Sequence, residues 1–195
     1  ISAIKSDDPV LFLKPKALMR SKGEELIPGE PDEKTLHELI DAPLGDRTKW
    51  KAKWPKLGEY SVEIGKAKTV VEGTDVTVIT WGSMVFQCLE ALDKLPEDLS
   101  VELIDLRTLN PLDRDAFCAS AEKTGRVVIV QEAPKTCGLA SELAMIIMER
   151  CFLHMKAPIQ RVCGFDTVMP YAKLELSYLP DSGKIAEAIQ QVAAY

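Results

Sequence analysis

Residues 76–106 read VTVITWGSMVFQCLEALDKLPEDLSVELIDL and predict a strand, a helix and a second strand in succession. The first five residues, Val76–Thr80, are rich in β-branched side chains, which favour strands. Apolar residues then recur at the helical spacing of three and four positions: Met84, Val85, Cys88, Leu89, Leu92 and Leu95. Pro96–Leu99 predicts a turn before the second strand, Val101–Leu106. Buried strands joined through a helix are typical of a parallel sheet covered by helices.

The same alternation continues towards the C-terminus. Asp113 fits the N-cap of a second helix, Leu112 and Phe117 fit a hydrophobic staple across it, and Gly125 fits its end. The further predicted elements are a strand over Arg126–Val130, a helix with Leu139, Leu143, Ile146, Ile147 and Cys151 on its apolar face, a strand over Ile159–Val162, and a last helix capped by Asp181 with Ile185, Ile189 and Val192 on one side. The pattern predicts a three-layer α/β domain with a mostly parallel sheet of about five strands.

The N-terminal third has a different character. Residues 9–13, PVLFL, predict a buried strand. Residues 17–61 are rich in Lys, Glu, Asp and Pro and predict a linker or insertion. Trp50 and Trp54 lie among lysines there, a pattern that occurs in nucleic-acid contacts and more often in linkers whose rings pack on a neighbouring surface. The predicted parts of the chain are therefore 1–16, 17–61 and 62–195.

Composition narrows the classes of function. The 195 residues are 46% hydrophobic and 28% charged, as in globular proteins, and no apolar run approaches the roughly 18 residues of a membrane span. Basic and acidic residues balance up to residue 66, so the net charge of −6 falls on the remainder. Such a balance argues against a nucleic-acid partner. Five cysteines without a CxxC pair predict reduced thiols, four of them in the core and Cys137 outside it, and a reducing compartment.

The residues alone do not define a self-sufficient active site. The glycine-rich phosphate motifs are absent, and neither His37 nor His154 has a nearby nucleophile with a supporting carboxylate. Asp105, Arg107 and Glu132 follow or end strands and are expected at one rim of the sheet, where an ion pair is favoured over a catalytic acid. The Trp81–Ser83 turn opens a helix and leaves two readings open, an anion site or a plain Ser cap.

Five runs taken together resemble a known family. They are Gly73–Ser83, Val101–Thr108 with Pro111, Lys123–Arg126, Gln131–Pro134 with Gly138, and Pro170–Lys173. They resemble the C-terminal transketolase-like domain, and more specifically the beta subunit of the thiamine-dependent 2-oxo acid dehydrogenase decarboxylating component. The resemblance covers about residues 62–195. It also implies that residues 1–16 are the last part, including the last strand, of a preceding pyrimidine-binding domain.

Two runs favour one branch of that family. Glu149–Leu153 and Arg161–Thr167 resemble the branched-chain, or 2-oxoisovalerate, enzyme. Ile64–Lys68 and Met169–Lys173 resemble the pyruvate enzyme equally well, so pyruvate stays the alternative. A stand-alone, non-enzymatic flavodoxin-like binding module is the rival from another class.

The resemblance implies oxidative decarboxylation by an α2β2 assembly that uses thiamine diphosphate and magnesium and passes the acyl group to lipoyl-lysine. The implied partners are an alpha subunit, a second beta subunit and the subunit-binding domain of the dihydrolipoyl acyltransferase, without nucleic acid or membrane. The catalytic glutamate and histidine of the family match none of these residues. The expected role is therefore structural, in the mitochondrial matrix of a eukaryote or the cytoplasm of a bacterium, and the chain alone is expected to be inactive.

The resemblance also implies two sets of site residues. A potassium ion matches oxygens of Ala3, Ser6 and Asp8, the kind of ligand that a hard cation prefers, although Ser6 and Asp8 replace the usual aspartate and asparagine. Docking of the acyltransferase matches the C-terminal Tyr195 and Lys156, where an acidic residue is common in the family.

Overall fold

The computed structural model describes residues 1–20, 34, 61–171 and 173–195. The chain divides into two compact units, Ile1–Glu63 and Ile64–Tyr195. Most of the predicted linker, including His37, Trp50 and Trp54, lies outside the described residues. The predicted boundaries at residues 16 and 61 stay predictions.

In the first unit, a short helix α1 (Ser2–Lys5) precedes an extended segment, and a 3-10 turn follows at Ala17–Arg20. The prediction of a buried strand over residues 9–13 is wrong. No strand is assigned there, and Leu11 and Phe12 are 85% and 80% exposed. A strand needs a neighbour for its backbone hydrogen bonds, and the described residues of this unit supply none.

The second unit contains a five-stranded sheet and, among its described residues, five helices. The strands are β1 (Lys68–Val71), β2 (Val76–Thr80), β3 (Val101–Asp105), β4 (Val127–Pro134) and β5 (Gln160–Gly164). The helices are α2 (Met84–Leu92), α3 (Arg114–Thr124), α4 (Leu139–Cys151), α5 (Glu175–Tyr178) and α6 (Ser182–Ala193), with a 3-10 turn at Phe152–His154. The strand order is β1-β3-β2-β4-β5.

The predicted fold class is confirmed. Strands β3, β2, β4 and β5 are parallel, and only β1 runs antiparallel, at the β3 edge. Strand β2 is central and fully buried, with Val76 opposite Val101 and Thr80 opposite Asp105. The sequence interpretation did not identify β1, which has only four residues and an irregular register.

The core lies on both faces of the sheet, as a three-layer domain requires. One apolar cluster joins alternate residues of β2 to α2 and α6, and includes Val76, Val78, Cys88, Ile185 and Ile189. The other joins the opposite face to α3 and α4, and includes Ile79, Ile104, Phe117, Leu143 and Ile147. The alternation along β2 therefore sends successive side chains into different layers.

The predicted helix ends are confirmed where local chemistry sets them. The Asp113 carboxylate accepts a hydrogen bond from the Ala116 N–H at 3.4 Å, and Asp181 accepts one from the Lys184 N–H at 2.9 Å. Gly125 ends α3 with φ +72°, the left-handed conformation that glycine adopts without strain. These caps fix where α3 and α6 begin and end against the sheet.

Candidate functional site

The carboxyl edge of the parallel strands brings together the polar residues that end them. Asp105 ends β3 and is paired in register with Thr80 of β2, and Glu132 lies near the end of β4. The prediction that Asp105, Arg107 and Glu132 share one rim is therefore confirmed, because parallel strands end on the same side of a sheet. Ligands of open α/β sheets bind at this edge, so these residues form the candidate site.

The predicted ion pair at this rim is wrong. The Asp105 carboxylate accepts a hydrogen bond from the Arg107 backbone N–H at 3.0 Å, and no salt bridge joins their side chains. Arg107 has φ +55°, a conformation that turns the chain so that its N–H faces the carboxylate. Burial raises the pKa of Asp105, and the Arg107 N–H and the charges of Arg107 and Lys68 offset only part of that rise.

Asp105→Asn should therefore raise the free energy of unfolding at pH 7, by less than about 1 kcal/mol because solvent screens this half-buried group. The pKa of Asp105 in the native state lies above its value in the unfolded chain, so the native state binds the carboxyl proton more tightly. Wild-type stability therefore falls as the pH rises from the unfolded pKa to the native pKa. The advantage of the variant should fade as the pH drops below about 4, where the carboxyl is protonated in both states. Urea titrations of both proteins at pH 3.5 and pH 7 measure the difference, and an equal difference at the two pH values would contradict the assignment.

Ser83, at the start of α2, binds a carboxylate of β4 through its side chain. Gly82 has φ +63° and turns the chain from β2 into the helix, and the Ser83 hydroxyl donates a hydrogen bond to the Glu132 carboxylate. Ser83 makes no side-chain cap of its own helix. The prediction of a plain Ser cap is therefore wrong, because the Ser83 side chain bonds to Glu132 and not to its own helix, whereas the anion site stays a prediction.

A buried glutamine organises the adjoining turn. Gln131 is 1% exposed, its Oε1 accepts from the Ala140 N–H at 2.8 Å, and its Nε2 donates to the Pro134 carbonyl at 2.8 Å. Gly138 leaves room for this amide, since a Cβ there would lie 1.9 Å from Nε2. Sequence reasoning missed Gln131 as a structural residue, although a glutamine that directly follows the apolar run 127–130 was the signal.

A cleft of about 430 Å³ lies between edge strand β5 and α6. Its basic side chains are Lys135, Arg161 and Lys184, and its acidic ones are Asp166 and Glu187. Asp166 accepts from the Thr136 N–H at 2.8 Å and from its hydroxyl at 2.7 Å, and these two bonds hold the pKa of that carboxyl below its usual range. Residues 161–166 therefore line this cleft.

Lys156 acts as a helix cap as well as a surface cation. Its Nζ donates to the Thr124 carbonyl at 3.2 Å, and its side-chain carbons pass Gly125, where a Cβ would lie 2.8 Å from Cγ. A cation at the C-terminus of α3 is favourable because the last carbonyls there carry partial negative charge. Tyr195 is 67% exposed at the end of the chain, after α6. The docking role of both residues stays a prediction.

The predicted potassium ligands lie in the first unit. Ala3 belongs to α1, and Ser6 follows that helix in an extended conformation. The Ser6 hydroxyl accepts from the Asp8 N–H at 3.2 Å, which makes a compact turn before Pro9. Carbonyl and carboxylate oxygens from such a turn are the donor type that potassium prefers, so the residues fit and the site stays a prediction.

The described residues thus form a mostly parallel sheet with helices on both faces. At its carboxyl edge, polar side chains form hydrogen bonds with other groups of the same chain. The profile of the family described as "Transketolase, C-terminal domain" matches residues 65–185. The chain belongs to this transketolase C-terminal domain family. No helix in the described part of the chain is long and apolar enough to cross a membrane.

The curated relatives of the chain include beta subunits of two kinds of 2-oxo acid dehydrogenase. The chain is 41% identical over 197 residues to "2-oxoisovalerate dehydrogenase subunit beta, mitochondrial" of Dictyostelium discoideum. The alignment covers 100% of this chain and 45% of that protein. It is 38% identical over 196 residues to "Pyruvate dehydrogenase E1 component subunit beta" of Bacillus subtilis strain 168, with 100% of this chain and 51% of that protein covered. The chain therefore spans about half the length of the curated relatives it matches.

A solved structure described as "Split gene transketolase, inactive beta4 tetramer" has the same fold. It aligns with a TM-score of 0.56 and 27% identity over 70% of this chain and 44% of that one. The family match and the solved structure thus indicate the same fold. The 2-oxoisovalerate and pyruvate dehydrogenase relatives have about the same sequence identity to this chain.

Proposed function

We propose that this chain is the C-terminal part of the beta subunit of a thiamine diphosphate-dependent 2-oxo acid dehydrogenase that acts on branched-chain 2-oxo acids such as 2-oxoisovalerate. The 41% identity along the whole of this chain to a 2-oxoisovalerate dehydrogenase beta subunit carries this proposal. Pyruvate is the second candidate substrate, because the bacterial pyruvate dehydrogenase relative is 38% identical over the same span. In the complete enzyme, thiamine diphosphate would supply the electron sink for decarboxylation before acyl transfer to lipoyl-lysine.

The described residues support a structural role in that enzyme. The polar groups at the carboxyl edge bond to one another, with the Ser83 hydroxyl on the Glu132 carboxylate and the Arg107 N–H on the Asp105 carboxylate. No catalytic step is assigned to these residues. In the proposed α2β2 enzyme, this domain supports assembly with an alpha subunit and a second beta subunit.

An assay of the complete enzyme tests the proposal. The full-length beta subunit, coexpressed with its alpha subunit, should decarboxylate 2-oxoisovalerate in the presence of thiamine diphosphate and magnesium, with a higher kcat/KM than for pyruvate. The 195-residue chain alone is the matched control and should show no turnover. A preference for pyruvate would move the proposal to the second candidate, and inactivity of the complete pair with both acids would contradict the enzyme class.

The proposed docking surface for the basic subunit-binding domain of the acyltransferase consists of Lys156 and Tyr195. Removal of Tyr195 should weaken binding by on the order of 1–3 kcal/mol, the range for one charge-assisted contact. Lys156→Glu should tighten binding, most visibly at low salt, because it replaces a repulsive charge with an attractive one. Titration calorimetry with the purified subunit-binding domain measures both effects.

The hydrogen bond from Lys156 to Thr124 requires a control. Lys156→Glu also removes a cation from the end of α3, which costs up to about 1 kcal/mol of stability. Lys156→Gln keeps a hydrogen-bond donor for that carbonyl without the charge, and should bind with an affinity between those of the parent and Lys156→Glu. If all three variants bind like the parent while their melting temperatures show that they are folded, this surface does not dock the partner.

A further inference from the structure

Two buried cysteines meet where α3 packs on α4. Cys118 is 5% exposed and Cys151 is fully buried, and both belong to the same apolar cluster. The Cys151 thiol donates to the Cys118 carbonyl oxygen, with 3.7 Å between sulfur and oxygen. The two side chains also interact directly, since the Cys118 thiol contributes to the raised pKa of Cys151 through its charge and a side-chain hydrogen bond. The two thiols are direct neighbours even though they are 33 positions apart in the sequence.

A cation approaches the same pair from the solvent side. The Arg150 guanidinium lies beside the Cys118 side chain, and Nη1 of Arg150 donates to the Asp115 carboxylate at 2.9 Å. The Arg150 side chain is 46% exposed, so this end of the pair borders the solvent. Positive charge beside a sulfur stabilises the negative charge that develops when the sulfur attacks an electrophile. Cys118 therefore lies between a cation and a second thiol.

We propose that Cys118 and Cys151 form a reversible two-electron redox site that a hydroperoxide converts into a disulfide. The proposal assigns Cys118 as the attacking residue, because Arg150 lies beside it and it has residual exposure. Cys151 is the resolving residue. Burial, and secondarily the neighbouring Cys118 thiol, raise the pKa of Cys151 to about 12, which disfavours it as the first nucleophile.

The chemistry balances with hydrogen peroxide as the oxidant. The Cys118 sulfur attacks one peroxide oxygen, the O–O bond breaks, and a sulfenic acid and one water form. The Cys151 sulfur then attacks the Cys118 sulfur, the S–O bond breaks, and hydroxide leaves and takes the thiol proton as a second water. Two thiols lose two electrons in total and the peroxide gains them. A dithiol reductant reverses the reaction by thiol–disulfide exchange.

The other three cysteines do not offer this arrangement. Cys163 is partly buried, which raises its pKa, and no second thiol is among the groups that influence it. Cys88 is buried beside Thr80, and burial raises its pKa to about 12, partly offset by a hydrogen bond with Thr80. No second thiol contributes to its environment. Cys137 is exposed and can form disulfides between molecules. Cys88 therefore serves as the matched buried control, and Cys137→Ser in the full 195-residue chain is the parent for the experiment.

The test treats this parent with hydrogen peroxide under native conditions and maps its cysteines by mass spectrometry. The chain should lose two thiols and about 2 Da, and a non-reduced digest should contain one peptide pair joined through Cys118 and Cys151. The melting temperature should rise on the order of 5 °C, because the bond constrains the unfolded chain. Dithiothreitol should restore both the mass and the melting temperature.

Variants identify the pair. Cys118→Ala and Cys151→Ala, each in the parent, should abolish the disulfide, whereas Cys88→Ala should leave it unchanged. A digest of the treated parent in which Cys118 and Cys151 both remain thiols, or in which a disulfide joins a different pair, would overturn the proposal. The parent's own digest decides this even where a core variant does not fold. None of these readouts depends on enzymatic activity, so the outcome is independent of the proposed function.

Discussion

Gly73→Ala should lower the free energy of unfolding by about 3 kcal/mol or more, because the new methyl group has no space. A Cβ at residue 73 would lie 2.2 Å from the Val101 carbonyl carbon and 2.4 Å from the Glu102 nitrogen. Both atoms belong to the backbone of β3, which is held in register with β2 by pairing of Val76 with Val101. The strand cannot retreat without disturbing the central pairing of the sheet. Urea unfolding followed by circular dichroism measures the loss.

Gly183→Ala is the matched control. Its Cβ would meet only the Asp181 carboxylate oxygen, at 3.1 Å, and that side chain can adjust. Within a helix, alanine is also preferred over glycine by up to about 1 kcal/mol, so this variant should lie within about 1 kcal/mol of wild type. A Gly73→Ala protein as stable as Gly183→Ala would show that the turn before β2 has room to move.

Local chemistry made much of the fold predictable from sequence. A cap depends on a few neighbouring residues, so Asp113, Gly125 and Asp181 were assigned correctly without knowledge of their tertiary surroundings. Apolar spacing likewise predicts a helix near Ser83–Lys94 and a strand over Val101–Leu106, and each end lies within two residues of the ends of α2 and β3. These signals agree with one another along residues 76–106, and such agreement is typical of sequences that specify one fold.

Features that depend on partners were not predictable in this way. The apolar run 9–13 predicted a strand, but a periodic pattern does not specify the neighbour to which a strand must bond. β1 lacked a pattern because two of its four residues are exposed at the edge of the sheet.

The polar contacts of the candidate site depend on distant parts of the chain. Lys156 reaches the Thr124 carbonyl from 32 positions away, and Ser83 reaches Glu132 from 49 positions away. The family resemblance implied docking for Lys156, and the position of Ser83 at a helix start left an anion site open, but neither specified which groups these side chains contact. The packing of α3 and of the sheet determines those contacts. Sequence therefore located the rim of the sheet correctly and misassigned the bonds within it.

Gln131→Leu should lower the free energy of unfolding by about 2–4 kcal/mol, since it removes the side-chain partner of three backbone groups, the Ala140 N–H and the Ala133 and Pro134 carbonyls. The Ala140 N–H belongs to the first turn of α4 and is itself buried, and the Pro134 carbonyl closes the turn that leads to that helix. Leucine has a similar volume, so the loss reports unsatisfied hydrogen bonds rather than a cavity. Chemical denaturation at pH 7 gives the value.

Glu132→Gln, one residue further along β4, separates this effect from any general sensitivity of the strand. Its side chain is exposed and keeps an oxygen that accepts from the Ser83 hydroxyl, so its stability should change by less than about 0.5 kcal/mol. Amide hydrogen exchange adds a local readout: in Gln131→Leu, the Ala140 amide should exchange faster than the amides in the middle of α4, whose helical bonds remain. Unchanged protection at Ala140 would mean that another group replaces the glutamine and that α4 does not depend on it.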